Sequence, residues 1–157
     1  MNASLFLDTT IFFQCIDHPQ LITVIEHAIN VGCQIRTSIS VLGETLAQIH
    51  EKENAVEYLT WLNQSLDDWN IAIHFPNDYV RILCYQMGEE EIDTRMIHEP
   101  TDRTHLAYAM AYGSDYFLTS DKNLTKYRIP AVLEKAGFFK PKTITLETFR
   151  DTVLNKK

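Results

Sequence analysis

The sequence predicts an α/β domain in which a parallel sheet carries helices on both faces, a three-layer sandwich. Three observations point there. Short apolar runs alternate with longer amphipathic stretches along the whole chain. The runs at 5–7 and 116–118 are continuous and too short for helices, as fully buried parallel strands are. Each run is followed by an aspartate, Asp8 and Asp121, at the carboxyl end of its strand, where open parallel sheets bind their ligands. A length of 157 residues suits one well-buried core and is short for two, so 1–157 reads as a single domain with its core at about 3–150.

Residues 3–8 form the first strand. Thr9 or Thr10 then caps a short helix to about residue 17, and His18-Pro19 breaks it. A second amphipathic helix covers 21–31 and stops at Gly32. Residues 33–37 make the second strand, again followed by hydroxyls, Ser38 and Ser40. The helix over 40–52 has Leu42, Leu46 and Ile49 as its core stripe. It carries Glu44, which stands about 200° around the helix from Leu42. Periodicity alone makes Glu44 a solvated acid. The helix over 55–66 spaces Ala55, Leu59, Leu62 and Leu66 as a coiled coil does, which reads as core packing or, more sharply, as a dimer face. A third strand at 71–75 ends at Pro76, and a helix over 79–87 ends at Gly88. Residues 88–100 then read as a polar, acidic connection. Asp93 and His98 lie in it within reach of a site, although their spacing does not demand one.

The stretch 100–121 is the most informative. Thr101 serves as N-cap after Pro100, and Asp102 falls in the first helical turn. Leu106, Ala109 and Met110 recur at helical spacing, and Gly113 stops the helix. Asp115 starts the strand at 116–118 by capping or turn bonding. Thr119, Ser120 and Asp121 sit just past its end. A last strand at 143–145 and a helix over 146–154 close the chain. Taken singly, Asp8 and Asp121 read as helix caps or turn residues. Two parallel strands ending in the same way imply a shared acidic site.

Composition narrows the function. The net charge is −7, but residues 1–121 hold 5 basic and 18 acidic side chains (net −13), and residues 122–157 hold 9 basic and 3 acidic (net +6). The basic tail is either ordinary surface variation or a segment that touches phosphate or a partner. The overall charge argues against strong, sequence-blind binding to nucleic acid. Cys15, Cys33 and Cys84 show neither paired nor zinc-type spacing and read as core thiols in a reducing compartment. The N-terminus has no basic region and Asp8 interrupts its apolar stretch, which argues against a signal peptide. No run is long enough to span a membrane. A cytoplasmic protein is expected.

The pattern LFLDTT, an acid in a later helix, and DRTHLAYAMAYGSDYFLTSDKNL together resemble the PIN-domain family. That family comprises small metal-dependent ribonucleases, among them the VapC-type toxins of bacterial toxin–antitoxin pairs. The resemblance covers about residues 3–150, and 102–124 is its specific part. It implies the three-layer fold and hydrolysis of RNA phosphodiester bonds. Asp8 and Asp121 carry over as metal ligands, directly or through water. Asp102 and Glu44 carry over as ligands or water-orienting acids, with Glu44 on the cleft wall. Thr9 and Thr119 carry over as hydroxyls that hold the cleft or contact phosphate. Many family members have Asn or Ser where this chain has Thr10, a mild departure. Arg103 points to another face than Asp102 and leaves a phosphate contact open. His105 reads as bonding within the helix layer, and Trp61 and Trp69 as core or interface residues. Four carboxylates without a Cys or His cluster suit a hard cation, Mg²⁺ or Mn²⁺. The expected partners are an RNA substrate, a cognate antitoxin and a second copy in a homodimer.

Two rival classes start from the same strand-then-Asp pattern. In a phosphatase-like hydrolase Asp8 would be the nucleophile, but the haloacid-dehalogenase-like pattern has a second Asp where this chain has Thr10. A receiver domain would need adjacent acids, and Thr9 breaks that. No glycine-rich phosphate loop is present. A weakly active or inactive binding module of the PIN fold would keep the core and lose acids, and all four are present.

Overall fold

The computed structural model describes residues 1–94 and 100–155. Five parallel strands form one sheet in the order β3-β2-β1-β4-β5: β1 (Ser4–Leu7), β2 (Gln34–Ser38), β3 (Ala72–His74), β4 (Tyr116–Leu118) and β5 (Lys142–Ile144). The helices are α1 (Thr9–Asp17), α2 (Ile22–Asn30), α3 (Ile39–His50), α4 (Ala55–Asp68), α5 (Asp78–Thr94), α6 (Pro100–Ala111), α7 (Lys122–Lys126), α8 (Ala131–Lys135) and α9 (Leu146–Phe149). They flank the sheet, so the fold is an α/β/α sandwich.

The chain winds outward from β1 through β2 to β3, then returns to the other side of β1 as β4 and β5. The reversal makes the carboxyl ends of β1 and β4 the switch point of the sheet, where a crevice opens. Both strands are apolar because neighbours cover them on either side. All of β1 is buried, and Phe6 stacks on its register partner Phe117 at 5.4 Å between ring centroids. The ladder continues past the strands, where Asp8 N donates to Leu118 O and Thr119 N donates to Ile144 O. Asp8 and Thr119 therefore leave the sheet side by side.

Several local expectations are corrected. Gly88 does not end a helix, because α5 continues to Thr94. A Cβ there would stand 3.3 Å from Arg103 Nη1, so this glycine serves a close approach between α5 and α6. The glutamates that follow are good helix formers and carry the helix on. Helix α6 includes Pro100, which suits a first turn, so Thr101 lies inside the helix rather than at its cap. Leu46 is 45% exposed, and the buried face of α3 is Val41, Leu42, Thr45 and Ile49, rotated by about 50° from the expected stripe. On α4, Leu62 is buried and Ala55 and Leu66 pack against the core, while Leu59 faces solvent. Three of the four stripe positions are core. The last strand lies one residue earlier than expected, because Thr145 caps α9 by accepting from Thr148 N.

Other local readings hold. Gly113 adopts φ +63°, and Gly113 N and Ser114 N turn back onto Met110 O and Ala109 O to end α6. Trp69 is buried edge-on to Trp61. Asp115 starts β4 by taking both Ser4 N (2.7 Å) and Ser4 Oγ (2.8 Å) on one carboxylate oxygen. His98 lies outside the described residues. Among those described, no helix is long and apolar enough to cross a membrane.

Candidate functional site

Asp8 occupies the N-cap position of α1, yet its carboxylate caps nothing. It turns into the crevice and is held on both oxygens. Thr119 Oγ1 donates to Oδ2 at 2.7 Å, with Thr10 Oγ1 at 3.2 Å, and His105 Nδ1 lies 3.0 Å from Oδ1. Asp8, Thr119 and His105 are all at most 2% exposed. A buried carboxylate is tolerable only when its oxygens are bonded in this way.

Glu44 comes to the site from α3. Its Oε2 accepts from Thr9 Oγ1 at 2.7 Å and lies 3.3 Å from His105 Nε2, which makes no aligned hydrogen bond. Periodicity called Glu44 a solvated acid. The shifted phase of α3 instead places it half-buried on the cleft wall. Asp121 does behave as a cap, since its Oδ1 accepts from Asn123 N at 2.7 Å at the start of α7. The same residue also belongs to the cluster, because its charge bears on Asp102. Asp121 N donates to Thr119 Oγ1, so one buried hydroxyl bridges the two strand ends.

Asp102 sits half-buried in the first turns of α6 and records the crowding. Burial, then the charges of Asp8 and Asp121, with Glu44 adding to them, push its carboxyl up to about 7 against the opposing pull of His105. Carboxylates so close repel one another, and a hard cation relieves the repulsion. The unengaged donors are oxygens, which suits Mg²⁺ or Mn²⁺. Among the described residues no group of three His, Cys, Asp or Glu side chains is placed to hold an ion unaided.

Asp8, Glu44, Asp102 and Thr9 share one cleft, and Thr119 ties Asp121 to Asp8 beside it. Arg103 stands apart. Its guanidinium lies against Gly88 on α5 and does not line the cleft. Asp93 lies in the last turn of α5. His105 is the residue that sequence reasoning misassigned, for it bonds outward to Asp8 and not within the helix layer. Its position one turn after Asp102, on the same helix face, was the available signal. Thr10, read only as a departure from the family pattern, also bonds Asp8 and receives Ser120 N.

Asp8, Glu44 and Asp102 line one end of a cleft of about 420 Å³ that extends past Gln48 to Phe13 and Lys52.

No protein-family model matches the chain, and no curated protein does. Solved structures do match. A chain of DNA-bound VapBC from Salmonella typhimurium superposes with a TM-score of 0.69 at 14% identity, over 92% of this chain and 98% of that one. A chain of VapBC-1 from nontypeable Haemophilus influenzae gives 0.68 at 9% identity, over 92% and 98%. A chain of VapBC2 from Rickettsia felis, bound to a DNA fragment from their promoter, gives 0.67 at 17% identity, over 75% and 88%. At these identities the likeness is one of fold, and the fold of this chain is the PIN-like α/β/α sandwich.

Proposed function

We propose that this protein is a metal-dependent endoribonuclease that hydrolyses RNA phosphodiester bonds and acts as the toxin of a toxin–antitoxin pair. The observation that carries the reading is the meeting of Asp8, Glu44, Asp102 and Asp121 at the switch point of the sheet. Asp8, Asp102 and Asp121 would hold Mg²⁺ or Mn²⁺, with Glu44 beside them. When bound there, such an ion neutralises charge on a phosphate and lowers the pKa of a water. The chain's own residues supply orientation. Thr119, Thr10 and His105 fix the Asp8 carboxylate from both sides, and Thr9 fixes Glu44. Asp102 would accept a hydrogen bond from an attacking water, with Glu44, held by Thr9 and Gln48, beside it. Asp8 suits a nucleophile poorly, since both of its oxygens are already engaged.

The fold likeness to chains of VapBC complexes supports an antitoxin partner; a cytoplasmic location would follow from an RNA substrate. The homodimer rests chiefly on the family resemblance, because three of the four α4 stripe positions that suggested it are core. Light scattering at micromolar concentration decides that point, and a monomeric mass removes the dimer.

The deciding experiment is cleavage of a labelled RNA by the wild type and Asp8→Asn, with Mg²⁺ and with a chelator. Wild-type cleavage requires the ion, and Asp8→Asn lowers it by orders of magnitude while the fold persists. Added Mg²⁺ raises the wild-type melting temperature in a dose-dependent way and raises that of Asp8→Asn less. Chelator-resistant cleavage unchanged in the variant would refute the reading.

A further inference from the structure

The cleft is longer than a metal site requires, and its far end has a different chemistry. Two walls leave the acids together. On α1, Thr9 is followed one turn later by Phe13. On α3, Glu44 is followed one turn later by Gln48, whose Nε2 donates to Glu44 Oε1 at 3.3 Å, and then by Lys52 just past the helix end. Eight residues at helical rise put Lys52 about 12 Å beyond Glu44. The Lys52 ammonium stands 5.5 Å from the Phe13 ring centroid and 5.7 Å from that of Tyr58. Tyr58 is itself tied by its hydroxyl to Asp17 Oδ1 at 2.8 Å. Among the described residues, Lys52 is the one Lys or Arg lining a cleft that also presents Asp8, Asp17, Glu44 and Asp102.

A polyanion approaching four carboxylates is repelled unless a cation stands where its next phosphate falls. The Phe13 face that Lys52 covers opens to a base once the ammonium turns to a phosphate, and single-stranded RNA can present that base because its bases are free to unstack. We propose that Lys52 and Phe13 form a nucleotide subsite for single-stranded RNA, with Lys52 Nζ holding a non-scissile phosphate and the Phe13 ring packing against the adjoining base. The substrate class rests on the nuclease reading above.

The test is fluorescence anisotropy of a labelled short oligoribonucleotide with Ca²⁺ in place of Mg²⁺, at several salt concentrations, alongside steady-state cleavage with Mg²⁺. Lys52→Ala weakens binding about 10-fold and flattens the slope of log affinity against log salt by about 0.7, as the loss of one phosphate contact to a single strand does. It raises KM and leaves kcat near wild type, and Lys52→Arg restores both affinity and slope. Phe13→Leu weakens binding by about 5- to 100-fold, whereas Phe13→Tyr, which keeps the ring, does not. Melting curves check that each variant is folded. If the wild type cleaves RNA while Lys52→Ala and Phe13→Leu match it in affinity, salt slope and KM, the subsite is refuted and the nuclease reading stands. If the wild type neither binds nor cleaves RNA, both are refuted.

Discussion

Thr119→Val isolates the hydroxyl that joins the two strand ends, since valine keeps nearly the same shape without it. Thr119 is fully buried, so no water replaces what is lost. One loss is a 2.7 Å hydrogen bond to an ionised carboxylate, a class worth about 1.5–3 kcal/mol. The other is the acceptor for Asp121 N at 3.0 Å, worth about 0.5–1.5 kcal/mol. Asp8 keeps Thr10 and His105, which softens the first loss. The expected cost is about 2–4 kcal/mol in metal-free protein. Urea denaturation in chelator at pH 7 reads it as a lower midpoint at unchanged m-value. For a chain of this size the melting temperature falls by about 5–15 °C. Thr119→Ser keeps the hydroxyl and gives up one methyl, which costs about 0.5–1.5 kcal/mol, so the stability order is wild type, Ser, Val. RNA cleavage follows the same order, with Ser near wild type. A Val variant within about 0.5 kcal/mol of wild type would mean that Thr119 does not hold Asp8, and the account of how the site is oriented would fail.

His105→Leu removes the partner of Asp8 Oδ1 and costs about 1.5–3 kcal/mol, measured by urea titration; in the cleavage assay kcat falls while KM changes little. Asp102→Asn stabilises the metal-free protein at pH 8 by about 1–3 kcal/mol after allowance for solvent screening, and the gain fades by pH 4. The sign follows from linkage. A carboxyl raised from about 4 to about 7 in the folded state holds a proton that the unfolded chain releases, so wild-type stability falls as pH rises across that window. Melting curves from pH 4 to 8 test this, and saturating Mg²⁺ narrows the gap between variant and wild type. Asp115 has the opposite sign. Its bonds from Ser4 N and Oγ hold its carboxyl below the ordinary value, so its contribution is present above about pH 4 and lost as pH falls through the lowered pKa. Asp115→Asn therefore costs about 0.5–1 kcal/mol at pH 7 after allowance for its exposure and less near pH 2, read by denaturation at the two pH values.

Much of the fold was legible because it is written in local chemistry. The apolar run at 5–7 could only be a covered strand, Gly113 could only end a helix in the left-handed region it adopts, and Asp8 and Asp121 stood where parallel strands deliver their ligands. The placement of Thr9 and Thr119 followed from the same two strands. Local pattern failed where a residue's role depends on what another element brings to it. Gly88 looks like a stop until α6 lays Arg103 against it. Leu46 looks like core until the sheet and α6 select a different face of α3, and that same rotation carries Glu44 into the cleft.

By itself the sequence determined the alternation of strands and helices, the parallel character of the sheet and the placing of Asp8 and Asp121 at its carboxyl edge. These depend on apolar periodicity, on chain-breaking residues and on carboxylates at strand ends, all of which act within a few residues. Only the tertiary structure decided the order β3-β2-β1-β4-β5, the joining of Asp8 to His105 across 97 residues and to Thr119 across 111, and the separation of Arg103 from the cleft. Strand order is chosen by the joint burial of both sheet faces, and the partner of a buried carboxylate by whichever donor that packing leaves within 3 Å. Neither quantity is a property of any short stretch of chain.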